Sequence, residues 1–250
     1  MFDYPAALLV IAPLVILVAY VVYGLGGFGS AIIAGPVLAH FLPLTFVVPL
    51  MVLLDFMASL FVGQKSLRHV SRPEMKRLLP FMFIGIVLGV TLLVNLPRKP
   101  ALIALGVFCV AFGAYSIGNP GVRGRIAAWW SAPAGVAGGV FGALFGSGGP
   151  IYVVYLSHRL PDKSELRATV SGLITVSTIT RIVMYAITGL LMDLKLVVAA
   201  AVMIPVMWTG ILIGTRLHLG LSADQLRRII GVLLLINGAS LIVRNLFQPA

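Results

Sequence analysis

The sequence predicts an all-α polytopic membrane protein made of two inverted repeats, each a glycine-broken helical hairpin followed by three transmembrane helices. Three observations predict it: long apolar runs, two matched glycine-rich breaks and a one-sided distribution of Lys and Arg. Of 250 residues, 60% are hydrophobic and 10% charged, and the mean hydropathy is +1.09. A soluble domain carries about 25% charged residues, so this chain cannot cover itself with a polar surface. About 20 apolar residues cross a hydrocarbon core of roughly 30 Å, and the runs at 6–23, 78–95, 101–117, 196–213 and 229–243 approach or reach that length.

In chain order the apolar segments fall at 6–23, 29–42, 44–63, 78–96, 101–117, 130–145, 148–157, 168–190, 195–215 and 226–244. The N-terminal stretch carries Asp3 and no basic residue. It reads as the start of the first membrane element, not as a signal peptide. Segments 29–42 and 148–157 are short, and each follows a cluster of Gly or of Gly and Pro. The first cluster is Gly24-Leu25-Gly26-Gly27-Phe28-Gly29-Ser30. The second is Phe145-Gly146-Ser147-Gly148-Gly149-Pro150. Gly gains little from helical geometry and Pro lacks the N–H a helix needs, so both clusters unwind the chain.

These breaks belong to an internal repeat. Phe28-Gly29-Ser30 recurs as Phe145-Gly146-Ser147. Pro80, Gly85, Gly89, Gly106 and Gly113 recur 125 positions later as Pro205, Gly210, Gly214, Gly231 and Gly238. The chain is expected to be one transmembrane domain, with repeat 1 over 1–117, a linker over 118–128 and repeat 2 over 129–250.

Charge orients the repeats. If each break sits inside one continuous span, Lys and Arg divide nine against eight between the two sides. If each break turns the chain back, loops 64–77, 118–128, 158–167 and 216–228 hold thirteen, and Arg98, Lys99, Lys195 and Arg244 make four on the other side. Basic loops stay cytoplasmic, so the hairpin arrangement is expected, and it makes the repeats inverted. The net charge of +11 would suggest nucleic acid in a soluble protein. Here the positives sit in loops, where they set topology and meet anionic lipid. No nucleic-acid partner is expected.

Inverted repeats broken at matching positions are a transporter signature. Irregular backbone at membrane depth survives only against protein or a water-filled cavity, and N–H groups freed at a helix start suit an anion. Gly26, Gly27, Phe28, Gly29 and Ser30 are therefore expected to face Gly146, Ser147, Gly148, Gly149 and Pro150 around an anion. The glycines would let a substrate approach the backbone, and the serines would donate to it or cap the following half-helix. Close helix packing is the competing reading. It is preferred for Gly85/Gly89 and Gly210/Gly214.

Asp55 and Arg181 are ionisable residues inside apolar runs, and they match each other in the repeat. They either pair for structure or serve function, Arg181 holding an oxyanion by its fork and Asp55 taking a proton. Thr175, Ser177, Thr178 and Thr180 surround Arg181, and Tyr152 and Tyr155 follow the second break. Thr175 and Tyr152 join the candidate substrate site. Trp129 and Trp130 read as interface anchors, and Cys109, the single cysteine, reads as packing. No metal-ligand spacing, cofactor fingerprint in its required context, Walker motif or catalytic constellation is present. No enzyme, metal or cofactor is expected.

At its breaks the chain resembles the sulfite exporter TauE/SafE family. The resemblance rests on Gly26-Gly27-Phe28-Gly29-Ser30 with Gly35-Pro36, and on 142–150, Gly-Ala-Leu-Phe-Gly-Ser-Gly-Gly-Pro. The basic loop 64–77 and the repeated Gly85-x-x-x-Gly89 extend it. The resemblance implies secondary transport of small sulfur-containing anions, sulfite or organosulfonates, usually exported across a prokaryotic cytoplasmic membrane. Protons are a further candidate partner, and the oligomeric state is left open.

Overall fold

Backbone in a bilayer core has no water to bond, so apolar runs there must become helices. The computed structural model describes residues 6–26, 29–62, 69–118, 124, 126–216 and 223–247, and no strand occurs among them. The helices are α1 (Ala6–Gly26), α2 (Ser30–Leu38), α3 (Leu44–Val62), α4 (Arg72–Asn95) and α5 (Arg98–Gly118). A short 3-10 turn at Ala128–Trp130 leads into α6 (Ser131–Phe145), α7 (Gly149–Ser157), α8 (Lys163–Ile187), α9 (Leu194–Arg216) and α10 (Ala223–Phe247). Six of them, α1, α4, α5, α8, α9 and α10, are long and apolar enough to cross a membrane. The helix α3 has 19 residues, about 28 Å at 1.5 Å per residue. By contrast, α2 and α7 have nine residues each, about 13 Å, and cannot cross.

Helices α4 and α8 start earlier than hydropathy alone suggests. Pro73 sits in the first turn of α4 with Glu74, where a missing N–H costs nothing and a carboxylate meets the positive helix end. The Asp162 side chain accepts from the Glu165 N–H at 2.7 Å and caps α8, worth about 1 kcal/mol. Both helices therefore extend into segments expected as basic loops.

Association of helices in lipid relies on close contact, because lipid tails are as apolar as Leu. The repeated glycines supply that contact. A Cβ on Gly85 would strike the Val136 carbonyl, and one on Gly89 would strike the Val140 carbonyl, so α4 and α6 lie backbone to backbone. Gly210 and Gly214 of α9 meet Leu17 and Val21 of α1 in the same way. The packing preferred for these glycine pairs is what they do.

The third contact fixes direction. A Cβ on Gly106 would lie 2.8 Å from the Gly238 carbonyl, and one on Gly113 2.7 Å from the Gly231 carbonyl. Ascending positions on α5 meet descending positions on α10, so these helices cross antiparallel. Cys109 is fully buried at that crossing. The largest contacts join the halves: α4 with α6, α5 with α10 and α1 with α9.

The second hairpin is closed by a hydrogen bond. Arg159, just past α7, donates from Nη1 to the Ile126 carbonyl, just before α6, at 2.9 Å. The end of α7 thus returns to the start of α6. Large apolar side chains such as Ile84, Val87, Val202 and Ile236 point outward, exposed, where acyl chains would cover them.

Candidate functional site

The two breaks meet. Gly29 and Gly146, one residue before each repeat serine, adopt left-handed backbone with φ 100° and 73°, a region that only Gly enters freely. A Cβ on Gly146 would lie 2.7 Å from the Ala31 Cβ, so the second break rests on the residue that follows Ser30. Beside that contact is a cavity lined by Gly29 and Ser30 from one break and Gly146 to Pro150 from the other. It offers about 40 Å³, where one water needs about 10–15 Å³. That room suits a few waters or a small anion.

Some candidate residues do something else. Gly26 ends α1 outside the lining, and Gly27 and Phe28 lie outside the described residues. Gly148 serves packing as well as the cavity: a Cβ there would strike the Gly138 carbonyl of α6. Neither serine caps its half-helix. Ser30 Oγ donates to Asp55 Oδ1 at 2.5 Å, and Ser147 Oγ donates back to the Phe145 carbonyl at 3.2 Å.

Asp55 of α3 lines the cavity. Its Oδ1 accepts from Ser30 and from Tyr20 Oη, the latter at 2.8 Å. Arg181 of α8 lines the same cavity and is 4% exposed. Among the described residues no ion pair joins them, so the structural pairing considered from sequence is not formed. Arg181 is held by neutral oxygens instead. Nη1 donates to the Gly142 carbonyl at 2.9 Å, Nη2 to Thr178 Oγ1 at 3.1 Å, and Nε weakly to the Ser177 carbonyl at 3.4 Å. Tyr185 Oη donates to the Ala143 carbonyl beside it. These bonds reach carbonyls in the last turn of α6, the negative end of the helix; the Gly142 carbonyl also accepts from the Gly146 N–H at 2.9 Å. A guanidinium has five N–H donors. The three bonds above leave one N–H on each terminal nitrogen, and a guanidinium can grip an oxyanion with two bonds.

On α8 the lining residues are Ile174, Ser177, Thr178 and Arg181, spaced i, i+3, i+4, i+7 on one helical face. Thr175 lies off that face and bonds its own Ser171 carbonyl at 2.9 Å. Tyr152 does line the cavity, 1% exposed, and its hydroxyl lacks a hydrogen-bond partner. A buried orphan hydroxyl costs about 1–3 kcal/mol, which a ligand oxygen or water in the cavity would relieve. Tyr20, Tyr23 and Ser59 also belong to the site or its supports, and sequence reasoning missed them. The i, i+4 spacing of Asp55 and Ser59 could have found Ser59.

A second polar cluster lies where α7 ends. Glu74, 5% exposed, accepts from Arg159 through Nη2 at 2.8 Å and Nε at 3.1 Å, from Arg77 at 2.6 Å and from Tyr155 Oη at 2.8 Å. Hydrogen bonding to Glu74 holds the Arg159 guanidinium above its ordinary range. The matching end of α2 is held by a histidine, a serine and an arginine, with no carboxylate among the bonds seen there. His40 Nε2 meets Ser240 Oγ at 3.1 Å, and Arg244 donates to the His40 carbonyl at 3.2 Å.

Residues 12–241 match the family profile described as sulfite exporter TauE/SafE. The chain is also similar to the probable inner membrane transporter protein TsaS of Comamonas testosteroni, 28% identical over 193 residues, 77% of this chain and 81% of that protein. No solved structure matches it.

Proposed function

The chain belongs to the sulfite exporter TauE/SafE family, and from that premise we propose that it carries small sulfur oxyanions across the inner membrane by alternating access around the two breaks. The observation that carries the reading is one polar cavity shared by both breaks and by Arg181. In it the spare N–H pair of Arg181 and the Tyr152 hydroxyl hold the anion, and Ser177 and Thr178 line its path. Export follows the family's description. Transport needs no bond made or broken, so no enzymatic step is assigned.

Repeats 1–117 and 129–250 are read as inverted, joined by the linker 118–128. Support comes from α5 and α10, which are repeat copies yet cross antiparallel. Continuous spans through the breaks would make them parallel and would carry Arg159 away from Ile126. Loops 64–77, 118–128, 158–167 and 216–228 then face the cytoplasm. Two nine-residue half-helices begin near mid-membrane, because each covers about half of a roughly 30 Å core.

Flux into proteoliposomes tests this. Saturable uptake of sulfite or methanesulfonate, competed by the other, is expected. Flux that never saturates would replace the carrier with a channel. No flux of either anion would leave a scaffold, and the substrate reading would fall.

A further inference from the structure

The cavity holds one more charge than anion binding requires. Around Asp55, α1 brings Tyr20 and Tyr23, α7 brings Tyr152, and α8 brings Arg181 and Tyr185. The described parts of α2 and α6 contain no Asp, Glu, His, Lys or Arg. Helix α4 keeps its charges in its first two turns, and α9 keeps Lys195 and Arg216 at its ends. The permanent charges at the cavity are therefore one carboxylate and one guanidinium. They cancel as a set, although they do not touch.

An incoming anion upsets that balance. Arg181 attracts it, but Asp55 repels it, and with little water nearby both effects are strong. A site that is neutral when empty carries a charge of −1 with a monovalent anion bound. The carboxylate also has a vacant position. Ser30 and Tyr20 both donate to Oδ1, and Oδ2 has no hydrogen bond among the described residues.

We propose that each anion enters together with one proton, which Asp55 carries on Oδ2. This rests on the anion reading above. Water delivers the proton to Oδ2, the carboxylate becomes a neutral carboxyl, and its new O–H donates to the bound anion. Repulsion is thereby turned into a hydrogen bond, and the loaded site is neutral. Serine and tyrosine hold Oδ1, so the proton has one defined place to go. Anion and proton then move as a pair, and the direction of flux follows their combined gradient.

The test uses methanesulfonate, whose own charge does not change over the pH range used, in proteoliposomes with the membrane potential clamped at zero. With acid outside, wild-type protein should accumulate the anion, the ratio rising about tenfold per pH unit of gradient, one proton per anion. The lumen should acidify with each pulse of anion. Whatever methanesulfonate flux Asp55→Asn retains should ignore the pH gradient, because an amide cannot take the proton. If only sulfite is carried, the difference between wild type and Asp55→Asn in response to the gradient gives the same reading. Saturable wild-type flux that is independent of the pH gradient overturns the proposal and leaves the anion carrier standing. So does an Asp55→Asn protein that still couples to protons. If Asp55→Asn fails to fold, the wild-type measurements decide alone. Absence of any wild-type flux removes the anion reading, and this inference with it.

Discussion

At the first break a serine hydroxyl reaches a carboxylate, whereas at the second the matching hydroxyl reaches only a backbone carbonyl. The backbone is alike at both: a left-handed glycine, a serine and a nine-residue helix. The third helix of each half carries the difference, with Asp55 on α3 and Arg181 on α8. If the halves are repeats, as proposed, the same turn of chain occurs twice, and one cavity is lined by opposite charges, Asp55 and Arg181. Two ionised acids or two ionised bases at matching places would leave the empty site charged, whereas one of each does not. The asymmetry is where the function is placed.

The largest effect is expected on the basic side. Arg181→Ala removes two charge-assisted contacts to the anion, each about 1.5 kcal/mol, so flux should fall roughly a hundredfold. Arg181→Lys keeps the charge but not the fork and should recover to within about tenfold of wild type. Initial rates in proteoliposomes measure both. Equal rates for Arg181→Ala and wild type would mean that the guanidinium only ties α8 to the end of α6.

Next comes the contrast between the ends of the half-helices. The end of α7 is clasped by a buried carboxylate with two arginines and a tyrosine, and the end of α2 by His40, Ser240 and Arg244. Glu74→Gln keeps the shape and removes the charge. It should cost about 1–3 kcal/mol and lower the apparent Tm by about 2–4 °C per kcal/mol. Ser240→Ala should cost under about 0.5 kcal/mol, as exposed substitutions do. Thermal unfolding in detergent compares them, and equal shifts would refute the asymmetry of the two ends.

Much of this was legible in the chain. Hydropathy marks the crossing helices, and clustered glycine marks both breaks. The repeat positions 85, 89, 210 and 214 proved to be contact glycines because close approach leaves no room for a side chain. The site was legible in part. Asp55 and Arg181 are conspicuous as charges within apolar runs, but sequence could not show that each would find separate neutral partners. Thr175 lies off the cavity face, whereas Ser177 and Thr178 share the Arg181 face, a placement that helical spacing from Arg181 gives directly. Tyr20 looks like any apolar-run tyrosine until the fold brings its hydroxyl to Asp55. Glu74 and Arg159 are 85 positions apart, and no local pattern links them. Pairings of that range arise from tertiary packing, which a single sequence does not encode in any periodicity.

The smallest expected effect probes the two serines directly. Ser30→Ala removes one of the two donors that hold Asp55 Oδ1. A bond to a charged acceptor is worth about 1.5–3 kcal/mol, and Tyr20 remains to hold the same oxygen, so only part of that should be lost. Flux at a fixed pH gradient should drop several-fold. Ser147→Ala removes a 3.2 Å bond between two neutral groups, and should change flux less than about twofold, near the lower limit for a neutral hydrogen bond. Because both positions are buried and equivalent in the repeat, loss of volume is the same in each. Any difference between the variants therefore reports the carboxylate. A Ser147→Ala defect equal to that of Ser30→Ala would move the weight of the site back to the hydroxyls themselves, with Asp55 as a bystander.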